Sequence, residues 1–216
     1  MAATQLEIPF EVGFTSRVFQ PTWKQQITPS GGGNVQVVDR SIPLWRAEYT
    51  TGALDDLALN AAQDFFEKLE GSAGTFLGYD PKRIMPFAYK SMAVQHDPWT
   101  KAGANAPKLA SASYANGTIT LTDMVEGAIV TTGDLISVYM DPAWWLFRAR
   151  QTLSAANNGM TIKVGPLPRN YSGPPIPIRY RRAVCEMKII GEVKPSASVG
   201  QGETFSFKAV QYIRKA

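Results

Sequence analysis

Side-chain catalysis near neutral pH draws on histidine, cysteine or an activated hydroxyl, and this chain of 216 residues carries one histidine, His96, and one cysteine, Cys185. His96 sits in His96-Asp97-Pro98-Trp99, and no Gly-x-Ser-x-Gly elbow accompanies it. Cys185 lies in an apolar strand pattern with Ala183, Val184, Met187 and Ile189, which reads as a buried, inert thiol. A single cysteine forms no internal disulfide and builds no thiolate-ligated zinc or iron–sulfur site. No His-x-x-His or His-Glu-x-x-His spacing occurs. Asp55 and Asp56 could serve as paired carboxylates in glycosidic acid–base chemistry. Their place in the first turn of an expected helix has a simpler explanation, because carboxylates suit the positive end of the helix dipole. Asp134 follows Gly133 and reads as a turn residue. Gly31-Gly32-Gly33 leads into Asn34-Val35-Gln36-Val37-Val38, a strand pattern, and so reads as a hairpin loop, not a phosphate cradle. The residues therefore lead us to expect no enzyme, with no catalytic set, no cofactor and no metal.

Binding chemistry has more candidates. Five Trp and eight Tyr make a stacking surface for sugars conceivable, with Trp99 and Trp144-Trp145 as its candidates. Adjacent strand residues point to opposite faces, so only one of Trp144 and Trp145 can face such a surface. Arg179-Tyr180-Arg181-Arg182 is the densest basic run. As a strand it would place Arg179 and Arg181 on one face, with Tyr180 and Arg182 on the other. It reads as a solvated face, or as a charged subunit interface or channel wall in which Arg pairs with carboxylates. Arg179, Arg181, Arg182, Trp99 and Trp144 are the candidate subunit-interface or channel residues.

The elements that must position these residues are mostly strands. Ile42–Tyr49 sets Leu44, Trp45 and Tyr49 against Arg46 and Glu48. One amphipathic helix follows, with its apolar stripe at Leu54, Leu57, Ala58, Ala61, Phe65 and Leu69, and Gly71 is placed for a left-handed C-terminal cap. Thr75-Phe76-Leu77 resumes a strand. Leu6–Arg17 reads as an N-terminal strand broken by Pro9 and Gly13. Tyr79–Pro107 is irregular and rich in Pro and aromatics, and Asn116-Gly117 predicts a type I′ hairpin. Leu135–Tyr139 and Trp144–Ala149 read as strands split at Asp141-Pro142, and Asn157-Asn158-Gly159 as a turn before a strand at Met160–Val164. Tyr171–Pro177, with three prolines, is expected to stay outside any sheet. Lys194–Gly202 reads as a polar turn, and Phe205, Phe207 and Ala209 as the inward side of a closing strand.

In order and spacing, these pieces resemble the distal tail proteins of long-tailed siphophages and related gene-transfer particles. The likeness is carried by Leu44–Tyr49, the helix ending in Leu69-Glu70-Gly71, Gly74-Thr75-Phe76, Gly133–Val138, Gly165-Pro166-Leu167-Pro168, Val184–Gly191 and Phe205–Val210. The resemblance implies a mainly β fold with one amphipathic helix: a β-sandwich or split barrel forming one ring domain over 1–216. It implies a loop-rich hairpin insertion at 79–121 and no separate C-terminal galectin-like domain. It further implies a structural virion protein of the tail tip. Copies of the chain would form a ring, usually hexameric, that joins the tail tube protein to the hub protein and the receptor-binding apparatus. The tape-measure protein would lie nearby, and DNA would only pass through. Another tail tube or hub subunit, and a carbohydrate-binding module, are the alternatives.

Composition agrees with a folded chain: 44% of residues are hydrophobic and 11% aromatic. Charged residues make up 19%, below the usual quarter, which fits either surface covered by partners or a soluble β protein rich in Gly and Pro. The net charge of +4 permits weak contact with nucleic acid without arguing for it. Met1–Phe10 lacks a signal-peptide pattern, and no run approaches the ~18 apolar residues of a membrane span. Synthesis in the bacterial cytoplasm without membrane insertion, and a final place in the virion tail tip, are expected.

Overall fold

The computed structural model of the chain describes residues 6–29, 32–39, 41–90, 99, 106–198 and 201–213. His96 and the Asp97-Pro98 turn lie outside the described residues. In chain order the strands and helix are β1 (Leu6–Glu7), β2 (Thr15–Thr22), β3 (Gln25–Pro29), β4 (Val35–Asp39), β5 (Leu44–Thr50), α1 (Asp56–Lys68) and β6 (Phe76–Tyr79). There follow β7 (Lys108–Ser113), β8 (Thr118–Thr122), β9 (Ile129–Val130), β10 (Leu135–Met140), β11 (Ala143–Ala149) and β12 (Leu153–Ser154). The last four are β13 (Met160–Gly165), β14 (Ile176–Arg179), β15 (Val184–Ser198) and β16 (Gln201–Gln211). Among the described residues the fold is mainly β with one α-helix, as expected.

The chain forms two compact units, where one ring domain was expected. The first comprises the chain up to Phe76 together with Met187–Tyr212, and the second comprises Leu77–Glu186. In the first unit, β15, β16, β5 and β2 pair in that order, all antiparallel. The alternation read from sequence sets the faces. Trp45, Ala47 and Tyr49 of β5 are buried, as are Phe205, Phe207 and Ala209 of β16. Phe207 stands opposite Tyr49, and Ala209 opposite Ala47, so the inward residues of the two strands share one face.

The helix packs on this unit through a single aromatic nucleus. Asp55 caps its start, accepting the Ala58 N–H at 2.8 Å, and Asp56 lies in the first turn. Ala62, Phe65 and Leu69 are buried, whereas Leu57 is 79% exposed, so the inward stripe is narrower than the one predicted. Phe207 meets Phe14, Tyr49, Phe66 and Phe76 at ring-centroid distances of 5.6, 5.2, 5.4 and 6.0 Å. Most of these contacts are edge-on, the geometry that ring quadrupoles favour. The helix ends at Leu69, and Gly71 takes φ +68° as its position predicts. Gly74 is required for a different reason: a Cβ there would lie 2.6 Å from the Leu69 carbonyl oxygen.

The second unit is a closed six-stranded barrel in the order β10-β11-β13-β8-β7-β14. The hairpin expected around Asn116-Gly117 supplies β7 and β8 of the barrel wall. Only Gly117 has positive φ at that turn, and Gly117 donates to the Tyr114 carbonyl at 3.2 Å across a four-residue loop. The two-residue turn with both central residues at positive φ lies instead at Asn157 (+52°) and Asn158 (+61°), bridged by Ala156 and Gly159. The Pro-rich segment does enter the sheet, since β14 contains Pro177. Ile178 donates to Pro107 on the β7 side, so by alternation residue 177 faces β10, whose pairing begins only at Ile178. The proline thus removes no ladder bond. Lys194 and Ser196 also belong to a strand, not to a turn, with a register shift between Ile190 and Lys194.

Replacing Phe207 by Ala should cost on the order of 3–5 kcal/mol in denaturant unfolding, because it leaves a cavity among four rings. Leu57→Ser on the exposed helix face should stay within about 0.5 kcal/mol of wild type.

Candidate functional site

The second unit has a cleft of about 350 Å³ bordered by Lys82, Arg83, Phe87, Lys90, Thr132 and Asp134. Its floor is Asp134, only 4% exposed. One carboxylate oxygen accepts the Phe87 N–H and the other the Thr131 N–H, each at 2.7 Å. The Asp134 N–H donates to Thr131 at 2.9 Å, and its carbonyl accepts from Ala149 at 2.9 Å. Burial raises the pKa of Asp134 above its usual value; the two backbone N–H donors and nearby Arg83 pull the other way without reversing it. Arg83 donates to the Gly133 carbonyl at 2.7 Å and lies 3.7 Å from the buried Asp80 carboxylate. Desolvation, with Arg83 close by, lowers the pKa of Arg148.

These groups are spent on architecture. Both oxygens of Asp134 tie the segment after β6 to the turn that begins β10, so the carboxylate is engaged by backbone and not presented to a substrate. The outward rim is cationic, with Lys82 and Lys90 exposed. It can receive an acidic side chain. Among the described residues, no group of three or more His, Cys, Asp or Glu could hold a metal ion. Among the same residues, no helix is long and apolar enough to cross a membrane.

The sequence-predicted residues do not come together as one surface. Trp99 is fully buried, stacked on Tyr180 at 4.4 Å with its Nε1 donating to the Ile129 carbonyl at 3.2 Å. It belongs to the barrel core, which removes it from any interface, channel or glycan surface. The basic run is not a strand beyond Arg179: residues 181 and 182 form a turn, Arg182 has φ +44°, and its N–H donates to Ile84 at 2.9 Å. Arg179, Arg181 and Arg182 are each half-buried, so they do not line up as two alternating faces. Ser137, which carried no signal in the sequence, holds this turn. Its hydroxyl donates to the Arg179 carbonyl at 3.1 Å and accepts the Val184 N–H at 3.0 Å.

Trp144 alone of the candidate aromatics keeps an outward place. It stands opposite Tyr139 in the β10–β11 register, with ring centroids 5.7 Å apart, while Trp145 packs against the barrel core. Tyr139 is 39% exposed and donates to Asp141 at 3.1 Å. Alternation separated the two tryptophans in sequence; only the register could supply Tyr139 as the partner.

Comparison with known proteins adds no relative: no protein-family model and no curated protein matches the sequence.

Because the folded pKa of Asp134 is raised, its proton stays bound over a pH range where the unfolded chain has lost it. Its titration therefore favours the fold most at pH below the usual aspartate value of 3.8, and that contribution declines as pH rises through the folded pKa. Chemical denaturation of wild type and of Asp134→Asn from pH 3 to pH 7 should show wild type losing stability relative to the variant as pH rises.

Proposed function

We propose that this protein is an architectural component of a phage tail tip, forming a ring of its own copies between the tail tube and the central hub. The observation that carries the reading is the strand–helix–strand block of the first unit. Trp45 and Tyr49 on β5, Phe65 on α1 and Phe76 at the head of β6 are all buried there. The block runs in the order of the distal tail resemblance and ends at the close contact between Gly74 and Leu69. A ring needs head-to-tail contacts that close, and it covers exposed sheet surface with neighbouring subunits. On this reading the chain has no reaction of its own. Its partners are other copies, six to a ring in the pattern of that family, the tube and hub proteins and the tape-measure protein. DNA only passes through, and the ring helps present the host-attachment apparatus.

The test is mass measurement of purified protein in solution with negative-stain imaging of the same sample. Closed annular particles are the expected result. Open tubes of indefinite length would favour a tail tube subunit, and a lone monomer at every concentration would overturn the proposal.

A second reading, a carbohydrate-binding surface, draws on the Tyr139–Trp144 pair beside Asp141. It expects the monomeric chain to be retained on a glycan array and Trp144→Ala to abolish retention. Absence of retention by wild type removes it.

A further inference from the structure

The cleft of the second unit gathers positive charge that its own carboxylates do not answer. Lys82, Arg83 and Lys90 line it, and Arg148 stands opposite Leu135, another lining residue, in the β10–β11 register. Burial, and then the nearby charge of Arg83, lowers the pKa of Arg148, so the two guanidiniums share one neighbourhood. The carboxylates beside them, Asp80 and Asp134, are both buried. Asp80 accepts the Lys82 backbone N–H at 3.1 Å and lies 3.7 Å from Arg83. Asp134 gives both oxygens to backbone N–H groups. The side chains of Lys82 and Lys90 stay exposed, and among the described residues neither forms an ion pair. Next to them the cleft is apolar: Met85 lines it, and Phe87 is 70% exposed.

We propose that this cleft is the docking site for an acidic peptide segment of a partner protein. A carboxylate of the segment meets Lys82 and Lys90, and a neighbouring apolar side chain lies against Phe87 and Met85. The inference goes beyond the ring reading and does not rest on it. Size selects side chains over a folded element. A cleft of about 350 Å³ has room for about a dozen waters at ~30 Å³ each. That is enough for two side chains and too little for a helix, which is ~10–12 Å across.

Charge and surface together select the chemistry. The tightest phosphate recognition uses a fork of Arg N–H donors, and Arg83 has already committed Nη1 to the Gly133 carbonyl at 2.7 Å. Lys82 and Lys90 are point charges on flexible stems, which suit a carboxylate arriving on a mobile segment. A single strand of nucleic acid needs rings for successive bases along a basic groove, and the aromatic lining here is Phe87 alone. Exposed ion pairs contribute little by themselves, so apolar area next to the ammonium groups is what gives such a contact its strength. A segment that offers a carboxylate and an apolar side chain side by side matches both halves of the cleft.

The test screens the full-length chain on an array of octapeptides of random sequence, then titrates the strongest binder, fluorescein-labelled, by anisotropy. The expected binders place a glutamate or aspartate next to a leucine, isoleucine or phenylalanine. Binders without acidic residues, or no binders at all, would overturn the inference. Lys82→Ala with Lys90→Ala should weaken the titrated peptide about tenfold, and Phe87→Ser about fivefold. Lys163→Ala, on β13 and outside the cleft lining, should leave the affinity unchanged. The three cleft side chains are exposed, so these variants should keep the wild-type circular dichroism. Unchanged affinity in the paired lysine variant overturns the inference. Two competitors complete the test. Glutarate displacing the peptide as well as unlabelled peptide does would show a site for a free acid, and an octathymidylate binding more tightly than the peptide would show one for nucleic acid; either result overturns docking of a peptide. Binding is read per chain, so its failure is distinct from failure of the ring in the mass measurement.

Discussion

The first unit depends on one packing problem: seating a helix on the antiparallel strands β15, β16, β5 and β2. Phe207 solves it, because its ring touches Phe14 from the N-terminal region, Tyr49 from β5, Phe66 from α1 and Phe76 from the head of β6. Phe65 closes the same cluster against Phe76 at 5.5 Å. Rings that meet edge to face constrain one another's orientation as well as their distance. Residues from the first strands, the helix and the last strand are thereby fixed in one cluster, although almost two hundred positions separate Phe14 from Phe207.

The second unit is held by a different means. Its barrel interior is apolar, and its polar residues are used to fasten the connections. Asp134 joins two loops through paired backbone N–H donors, and Ser137 bridges the Arg179 carbonyl and the Val184 N–H. A buried backbone donor left without an acceptor costs about 1–3 kcal/mol, so one buried hydroxyl can decide the course of a whole turn. That is why groups resembling catalytic candidates by type and burial serve here as fasteners.

The β3–β4 ribbon, a two-stranded sheet of its own, contrasts with both units. Elsewhere, alternation sends apolar residues inward; in the ribbon the same alternation leaves Ile27, Val35 and Val37 facing water. A sequence with 19% charged residues has little with which to mask such a face.

Local sequence determined the elements whose cause is local. Asp55 as a cap, the left-handed Gly71, the inward sets Trp45/Tyr49 and Phe205/Phe207/Ala209, and the opposition of Trp144 and Trp145 follow from propensity and from periods of 3.6 and 2. Tertiary structure alone decided how many units the chain forms, that the hairpin near Asn116-Gly117 would close a barrel, and that Pro177 could sit in a strand beside a neighbour that starts one residue later. It also buried Trp99 against Tyr180 and bent the arginine run at Arg182. Those outcomes depend on which strand lies next to which, and strand order is set by contacts between distant residues that no local period encodes.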